Sequence, residues 1–326
     1  EGFINGELDR IYLDEETIIQ KQYGSNCTFI GVNKAIVPRV FKSVSGPVYL
    51  NKGYSITMFA IEHAGLLNAL KKEDRNYMFF IESDQDCRED SSFLYSSVTN
   101  RFSAFQVTSI PHQESVLDEN DLRVLLMNHI GTALPKGVAN KEFIPNLAGN
   151  FLVVNNQTGK VSGTAQTTIG FNGNDTISVY PTQISTNADN GITYEISDWF
   201  SFSASDLYAK LSSSFPSFHS LLMNAGLGNQ AEGRYTFISE NENYTVFAPS
   251  NLALSNYQAD TLTNEELKKF LMMHFVQGDL IFTDGNKSAG YYETNRTDEK
   301  STTYSKIFTK IHINPGIDVI NITDKS

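Results

Sequence analysis

The feature that most constrains this 326-residue chain is an internal repeat. The stretch Asp118-Glu119-Asn120-Asp121-Leu122-Arg123-Val124-Leu125-Leu126-Met127-Asn128-His129-Ile130-Gly131 returns as Thr263-Asn264-Glu265-Glu266-Leu267-Lys268-Lys269-Phe270-Leu271-Met272-Met273-His274-Phe275-Val276. Leu122, Leu125, Leu126, His129 and Ile130 stand at i, i+3, i+4, i+7 and i+8, and so do Leu267, Phe270, Leu271, His274 and Phe275. That spacing places each set on one helical face. Thr263 with Glu266 predicts a capping box, and Asp118 with Asp121 a weaker version of it. A histidine therefore recurs among apolar residues near the end of both helices. Upstream, residues 76–84 parallel residues 243–251, and both read as short, largely buried strands ending in a polar turn. Pro249 helps to stop the second of them. Further upstream, His63-Ala64-Gly65-Leu66 parallels Asn224-Ala225-Gly226-Leu227, each with a glycine placed to cap a helix.

The predicted order in each unit is helix, Ala-Gly-Leu turn, strand, spacer, capped helix with histidine, then a β-rich tail. The spacer of the first unit, about 85–117, is much longer than that of the second. Its tail predicts strands over 149–154, 161–170, 176–180 and 192–200, separated by Gly/Asn turns.

Three segments together resemble the fasciclin-like domain. Tyr244-Thr245-Val246-Phe247-Ala248-Pro249-Ser250-Asn251 is similar to the family's first signature segment, and Leu271-Met272-Met273-His274-Phe275-Val276 to its central Tyr-His helix. Asn190-Gly191-Ile192-Thr193-Tyr194-Glu195-Ile196-Ser197-Asp198 is similar to the Asn-Gly segment that closes a unit. The chain thus resembles a tandem array from about Val48 onward. The resemblance implies an α+β fold in which each unit is a β-sandwich or wedge with short helices packed on it. It divides the chain into a unit over 46–203 and a unit over 204–326 that lacks a counterpart to residues 190–200. Residues 1–45 resemble a closing segment, because Asn26-Cys27-Thr28-Phe29-Ile30-Gly31-Val32-Asn33-Lys34-Ala35-Ile36 aligns without gaps on residues 190–200. Either that segment belongs to an upstream unit or it packs against the open C-terminal one. Two departures stand out. The residue before the histidine, often Tyr in the family, is Asn128 in one copy and Met273 in the other, and Glu82 stands where the second copy has Pro249.

Composition narrows the function. Lys+Arg is 25 against 37 Asp+Glu, a net charge of −12. Such a surface repels phosphate backbones and anionic lipid, which argues against a nucleic-acid partner. No apolar run approaches the ~18 residues that span a bilayer. The two cysteines, Cys27 and Cys87, allow at most one disulfide and show no zinc-type spacing. The chain begins at Glu1. With the family resemblance, this sets the expectation of a secreted protein or surface lipoprotein that has lost its signal and anchor, with a bacterial source favoured over an animal one.

Four residues are candidate binding groups: His129, His274, Tyr291 and Tyr292. The histidines are polar groups repeated on an apolar face, and the plainer reading is that their ring nitrogens tie helix to sheet. Tyr291-Tyr292 follow Gly290 in what reads as a polar loop, where exposed aromatic faces stack on sugar rings or anchor a protein. Trp199 reads as packing. The acids Glu82, Asp84, Asp86, Glu89 and Asp90 begin like an EF-hand loop, but Arg88, Glu89 and Tyr95 occupy places that need a ligand, a glycine and a glutamate. They read as a solvated loop. Carboxylates around Cys87 would raise its pKa and argue against a nucleophile. Sequons such as those at Asn26, Asn156, Asn243 and Asn295 carry glycans only in a eukaryotic secretory setting. No catalytic motif and no cofactor or metal motif is present. The expectation is a non-enzymatic adhesion or binding module for an extracellular protein or glycan. The rivals are a hydrolase using a carboxylate pair and a structural spacer.

Overall fold

A computed structural model describes residues 2–4, 7–10, 18–33, 37–89, 93–105, 114–165, 178–185, 188–202, 206–239, 242–257 and 261–324. Two antiparallel hairpins lead the chain, β1 (Gly2–Ile4) with β2 (Glu7–Arg10) and β3 (Ile18–Tyr23) with β4 (Thr28–Val32). The first unit then carries β5 (Tyr77–Ile81), β6 (Phe93–Ser96), β7 (Arg101–Phe105), β8 (Glu114–Leu117), β9 (Ile130–Gly131) and β10 (Lys141–Pro145). It continues with β11 (Phe151–Asn155), β12 (Lys160–Ser162), β13 (Ser178–Val179), β14 (Thr182–Gln183) and β15 (Gly191–Glu195). The second holds β16 (Gly228–Asn229), β17 (Arg234–Tyr235), β18 (Tyr244–Val246), β19 (Phe275–Gln277), β20 (Gly290–Thr297), β21 (Phe308–Pro315) and β22 (Ile320–Asp324). Helices and sheets intermix along the chain, the α+β class that the repeat implies.

In the first unit, four-stranded sheets β10-β11-β12-β13 and β14-β15-β5-β9 enclose a core. Met78 and Phe80 of β5 enter it beside Ile144, Leu152, Val161 and Ile196. Tyr77, Phe79 and Ile81 alternate to the opposite face and pack with Ile56, Ile61, Leu66, Leu122 and Leu126 from the helices. Every residue of β5 is buried, because a strand covered on both faces has no polar side. The second unit has one five-stranded sheet, β18-β19-β20-β21-β22. It is covered on one face by Phe218, Leu222, Leu271 and Phe275, and on the other Val276, Ile311 and Ile313 form a smaller core.

The predicted local signals form. The Thr263 hydroxyl accepts from Glu266 N and the Glu266 carboxylate accepts from Thr263 N, completing the capping box of helix Asn264–Met272. Asp118 Oδ1 accepts from Asp121 N at 2.7 Å to start helix Glu119–Asn128. Gly65 (φ +64°) and Gly226 (φ +72°) end their helices in the left-handed conformation. Leu66 N then bonds Ile61 O, and Leu227 N bonds Leu222 O.

Around the central strand the units match group for group. Phe80 N donates to His129 O at 3.0 Å, and Phe247 N to His274 O at 2.9 Å. β9 lies antiparallel to β5 as β19 does to β18. On its other side β5 has a parallel partner, β15, with Gly191 opposite Tyr77 and Glu195 opposite Ile81. Among the described residues no strand lies on the corresponding edge of β18.

Several expectations are revised. The acidic stretch is not a solvated loop: residues 84–89 form a helix, and Glu82 and Asp84 are buried. The Asp84 carboxylate accepts from Ser55 Oγ and from Ile56 N, capping helix Ser55–His63. The long spacer holds a three-stranded sheet, β6-β7-β8. Tyr291 and Tyr292 lie in strand β20, not in a loop. Parts of the expected strands 161–170 and 176–180 fall on 166–177, outside the described residues. Within residues 1–45, the stretch 20–33 is mostly exposed, whereas Val44 and Ser45 are buried in the first unit. Lys42 O accepts from Asp189 N, and Val44 N donates to the Asn190 side chain.

Candidate functional site

The helix register carries His129 into the middle of the first unit. Its side chain is 1% exposed, with Trp199 edge-on at 4.4 Å and Phe200 stacked at 5.1 Å. Phe200 N donates to Nε2 at 2.8 Å, so Nε2 is the acceptor and Nδ1 carries the proton. That proton goes to Leu125 O at 2.8 Å. Burial pushes the ring's pKa down to about 4, against a weaker upward pull from the Leu125 carbonyl. The neutral ring ties the helix to the segment after β15 and leaves no ring nitrogen for an outside ligand.

His274 repeats half of this. Its Nδ1 bonds Phe270 O at 2.8 Å, and burial again lowers the pKa. Nε2 has no hydrogen-bond partner among the described residues, because nothing there corresponds to Phe200 N. Phe218 and Phe270 pack around the ring at 5.5 and 4.8 Å.

Strand alternation separates the two tyrosines. Tyr292 turns inward onto Val276, Ile311 and Ile313, and its hydroxyl donates to Ser288 O at 2.9 Å. Tyr291 turns outward, 55% exposed, and meets His312 of β21 edge-on at 5.1 Å. The next outward pair on the same two strands is Glu293 with Lys310, an ion pair at 2.9 Å. Tyr291, His312, Glu293 and Lys310 therefore form an aromatic and polar strip on the outward side of the β20–β21 pair. The sequence brings Tyr291 and Tyr292 together, but the fold offers only the first to a partner.

A cleft of about 550 Å³ that the sequence did not reveal lies between the units. Phe282 stacks on Phe143 at 4.1 Å and meets Phe151 edge-on at 4.9 Å. Lys136 Nζ donates to Asn286 Oδ1 at 2.6 Å across the same junction. A signal for it existed: in β10 the alternation puts Glu142 inward and Phe143 outward, the reverse of a strand facing water. The inward Glu142 accepts from Lys136 N, Val138 N and Asn156 Nδ2. Burial works to raise its pKa, but these bonds outweigh it and hold the carboxyl below the usual range. Asp284 accepts from Phe143 N, Asn286 N and Asn286 Nδ2. Both carboxylates are thus spent on holding the backbone, which is not the arrangement of an acid and a base awaiting substrate.

Cys87 is buried in the helix over 84–89, and burial first, then Glu82, Asp84 and Asp86, push its thiol pKa far up. Cys27 is exposed and the two are not bonded. Among the described residues no group of three or more His, Cys, Asp or Glu is arranged to hold a metal, and no helix is long and apolar enough to cross a membrane. Of the four sequons named above, Asn295 is buried, and the Asn156 amide already donates to Ala139 O and Glu142 Oε1.

Residues 213–324 match the family model of the fasciclin domain. No curated protein matches the sequence. Among solved structures, the chain is similar to a FAS1 domain pair from the insect cell adhesion molecule fasciclin I. It is 12% identical over 86% of each chain, with a TM-score of 0.27.

Proposed function

We propose that this chain is a non-enzymatic extracellular adhesion or binding module made of fasciclin-like units over about 46–203 and 204–326. The match of residues 213–324 to the fasciclin domain carries the reading. The shared arrangement of strand, capped helix and histidine around β5 and β18 supports extending it to the first unit. The binding surface is the outward strip of β20 and β21, where the Tyr291 ring and His312 stand beside Glu293 and Lys310. An aromatic face flanked by fixed charges suits a pyranose ring or a polar protein surface. The partner is an extracellular glycan or protein and not nucleic acid, which the net charge of −12 repels. Attachment to a membrane runs only through an anchor outside this chain, as in a bacterial outer-membrane lipoprotein.

The test is binding to immobilised glycan and matrix-protein panels, with the intact chain and with Tyr291→Ala/His312→Ala. Binding by the intact chain that the double variant loses supports the reading. No binding by the intact chain favours a spacer, and release of sugar from any glycan would show a hydrolase.

A further inference from the structure

We infer that the cleft between the two units is a binding site for a small apolar carboxylate, a ligand with a hydrocarbon body and one anionic head. The cleft holds about 550 Å³. That lies within the about 300–1,000 Å³ of small-molecule sites, which favour the junction of two domains. Its walls come from different units. The segment 133–136 with β10 and β11 forms one, and the loop between β19 and β20 forms most of the other. Main-chain donors join the two walls. Phe143 N donates to Asp284 Oδ2 at 3.3 Å, and Asn140 N to Asp318 Oδ1 at 3.1 Å.

The lining between these bonds is apolar. Leu134 and Ile144 contribute from the first unit and Leu280 from the second, beside the Phe143–Phe282–Phe151 cluster that spans the junction. Leu134 is 36% exposed, so apolar surface remains for a ligand to cover. Removing that surface from water drives the hydrocarbon body in.

The polar groups of the cleft decide what head goes with that body. Its acceptors are engaged. Glu142 accepts from Lys136 N, Val138 N and Asn156 Nδ2, and Asp284 accepts from Phe143 N, Asn286 N and Asn286 Nδ2. Asp279 Oδ1 is paired with Lys287 Nζ at 2.5 Å. Its donors are in surplus, since each ammonium has three N–H groups. Among the described residues Lys136 Nζ donates to Asn286 Oδ1 at 2.6 Å and Lys287 Nζ to Asp279 Oδ1, one bond each. Lys136 comes from one wall and Lys287 from the other, and Lys136 reaches the residue next to Lys287. An acceptor-only, anionic head takes up these spare donors in charge-assisted bonds. A cationic head meets carboxylates already spent on N–H groups and on Lys287, and a neutral head forgoes the charge. The net charge of −12 opposes an anion's approach, but physiological salt screens it beyond about 8 Å.

The site shares neither Tyr291 nor His312 with the β20–β21 strip, so the two stand or fall separately. A ligand seated there touches both units and therefore stabilises their junction in proportion to its affinity. The experiment is titration calorimetry of the full chain with three probes of one shape: naphthoate, the uncharged naphthamide and the cationic naphthylmethylammonium. Naphthoate is expected to bind once per chain and at least about tenfold more tightly than either of the others. Lys136→Gln/Lys287→Gln should weaken naphthoate by at least about tenfold and leave naphthamide unchanged. Both lysines are exposed, so the variant keeps the fold, which an unchanged Trp199 emission spectrum checks. Leu134→Gln should weaken naphthoate and naphthamide alike, which places the hydrocarbon body in the cleft. No binding of naphthoate, equal binding of naphthamide, tighter binding of the ammonium, or naphthoate affinity unmoved by the lysine variant would each overturn the inference.

Discussion

His129 offers a sharp test, because the fold accepts only its neutral form. Below its ordinary pKa of 6.5 the unfolded chain takes up a proton at this ring that the folded chain refuses until about pH 4. The stabilisation is therefore fully present above 6.5 and is lost as the pH falls toward 4. At 1.36 kcal/mol per pH unit, that interval corresponds to about 3 kcal/mol. His129→Leu removes the titration and keeps most of the volume. It also strands Leu125 O and Phe200 N, at about 1–3 kcal/mol each. The variant should thus be less stable than the parent by about 2–6 kcal/mol near neutrality. The gap should nearly close at about pH 4, where the parent has lost its about 3 kcal/mol. The assay is guanidinium unfolding followed by the fluorescence of Trp199, the chain's single tryptophan, whose ring lies 4.4 Å from His129. Titrations common to both proteins cancel in the difference. If the gap stays constant across that pH range, the ring is charged in the native state and the account of it as a neutral tie is wrong.

Four other outcomes follow from the same contacts. Gly191→Ala should lower the Trp199-detected melting temperature sharply, by more than about 2 kcal/mol of stability, since φ is +140° and the added Cβ meets Tyr77 backbone. Thr263→Ala should cost about 1 kcal/mol of the second unit's stability through the lost capping box, seen by circular dichroism with the Trp199 transition unmoved. Tyr291→Ala should abolish binding to any ligand of the β20–β21 strip while leaving the melting temperature unchanged, because the ring lies on solvent-exposed surface. Phe282→Ala should remove a stacked pair worth about 0.5–1.5 kcal/mol beyond its buried area, and calorimetry should then show the two units melting further apart.

What the sequence made legible was local. The helix over 119–128 and its copy over 264–272 could be read from apolar spacing and caps, because those signals act within one or two turns. The strand at 77–81 could be read as buried from five apolar residues in a row, whereas the similar run at 244–248 gave a strand, Tyr244–Val246, that is only half-buried. The parallel pairing of β15 with β5 could not, since it joins residues more than a hundred positions apart and leaves no periodic trace. Tyr291 and Tyr292 were misplaced for a different reason. Gly290 and the polar residues around it are the signature of a turn, yet the ladder with β21 overrides that preference. The acids at 82–86 look solvated by composition alone, and only the fold shows that Asp84 is the cap of a helix that begins 29 positions earlier.

The histidines show why a repeated residue need not mean a repeated site. Both copies keep the Nδ1–H bond to the carbonyl four residues back, a contact made inside one helix and available wherever the helix forms. They differ at Nε2, whose partner in the first unit lies 71 residues away on another segment. The helix fixes where the ring points, and the rest of the unit decides what it meets. In the first unit it meets Phe200 N and becomes a buried tie that no ligand can reach. In the second the same ring keeps the helix bond at Nδ1, and among the described residues no backbone donor meets its Nε2. What separates the copies is therefore the surroundings of Nε2, which the helix itself does not determine.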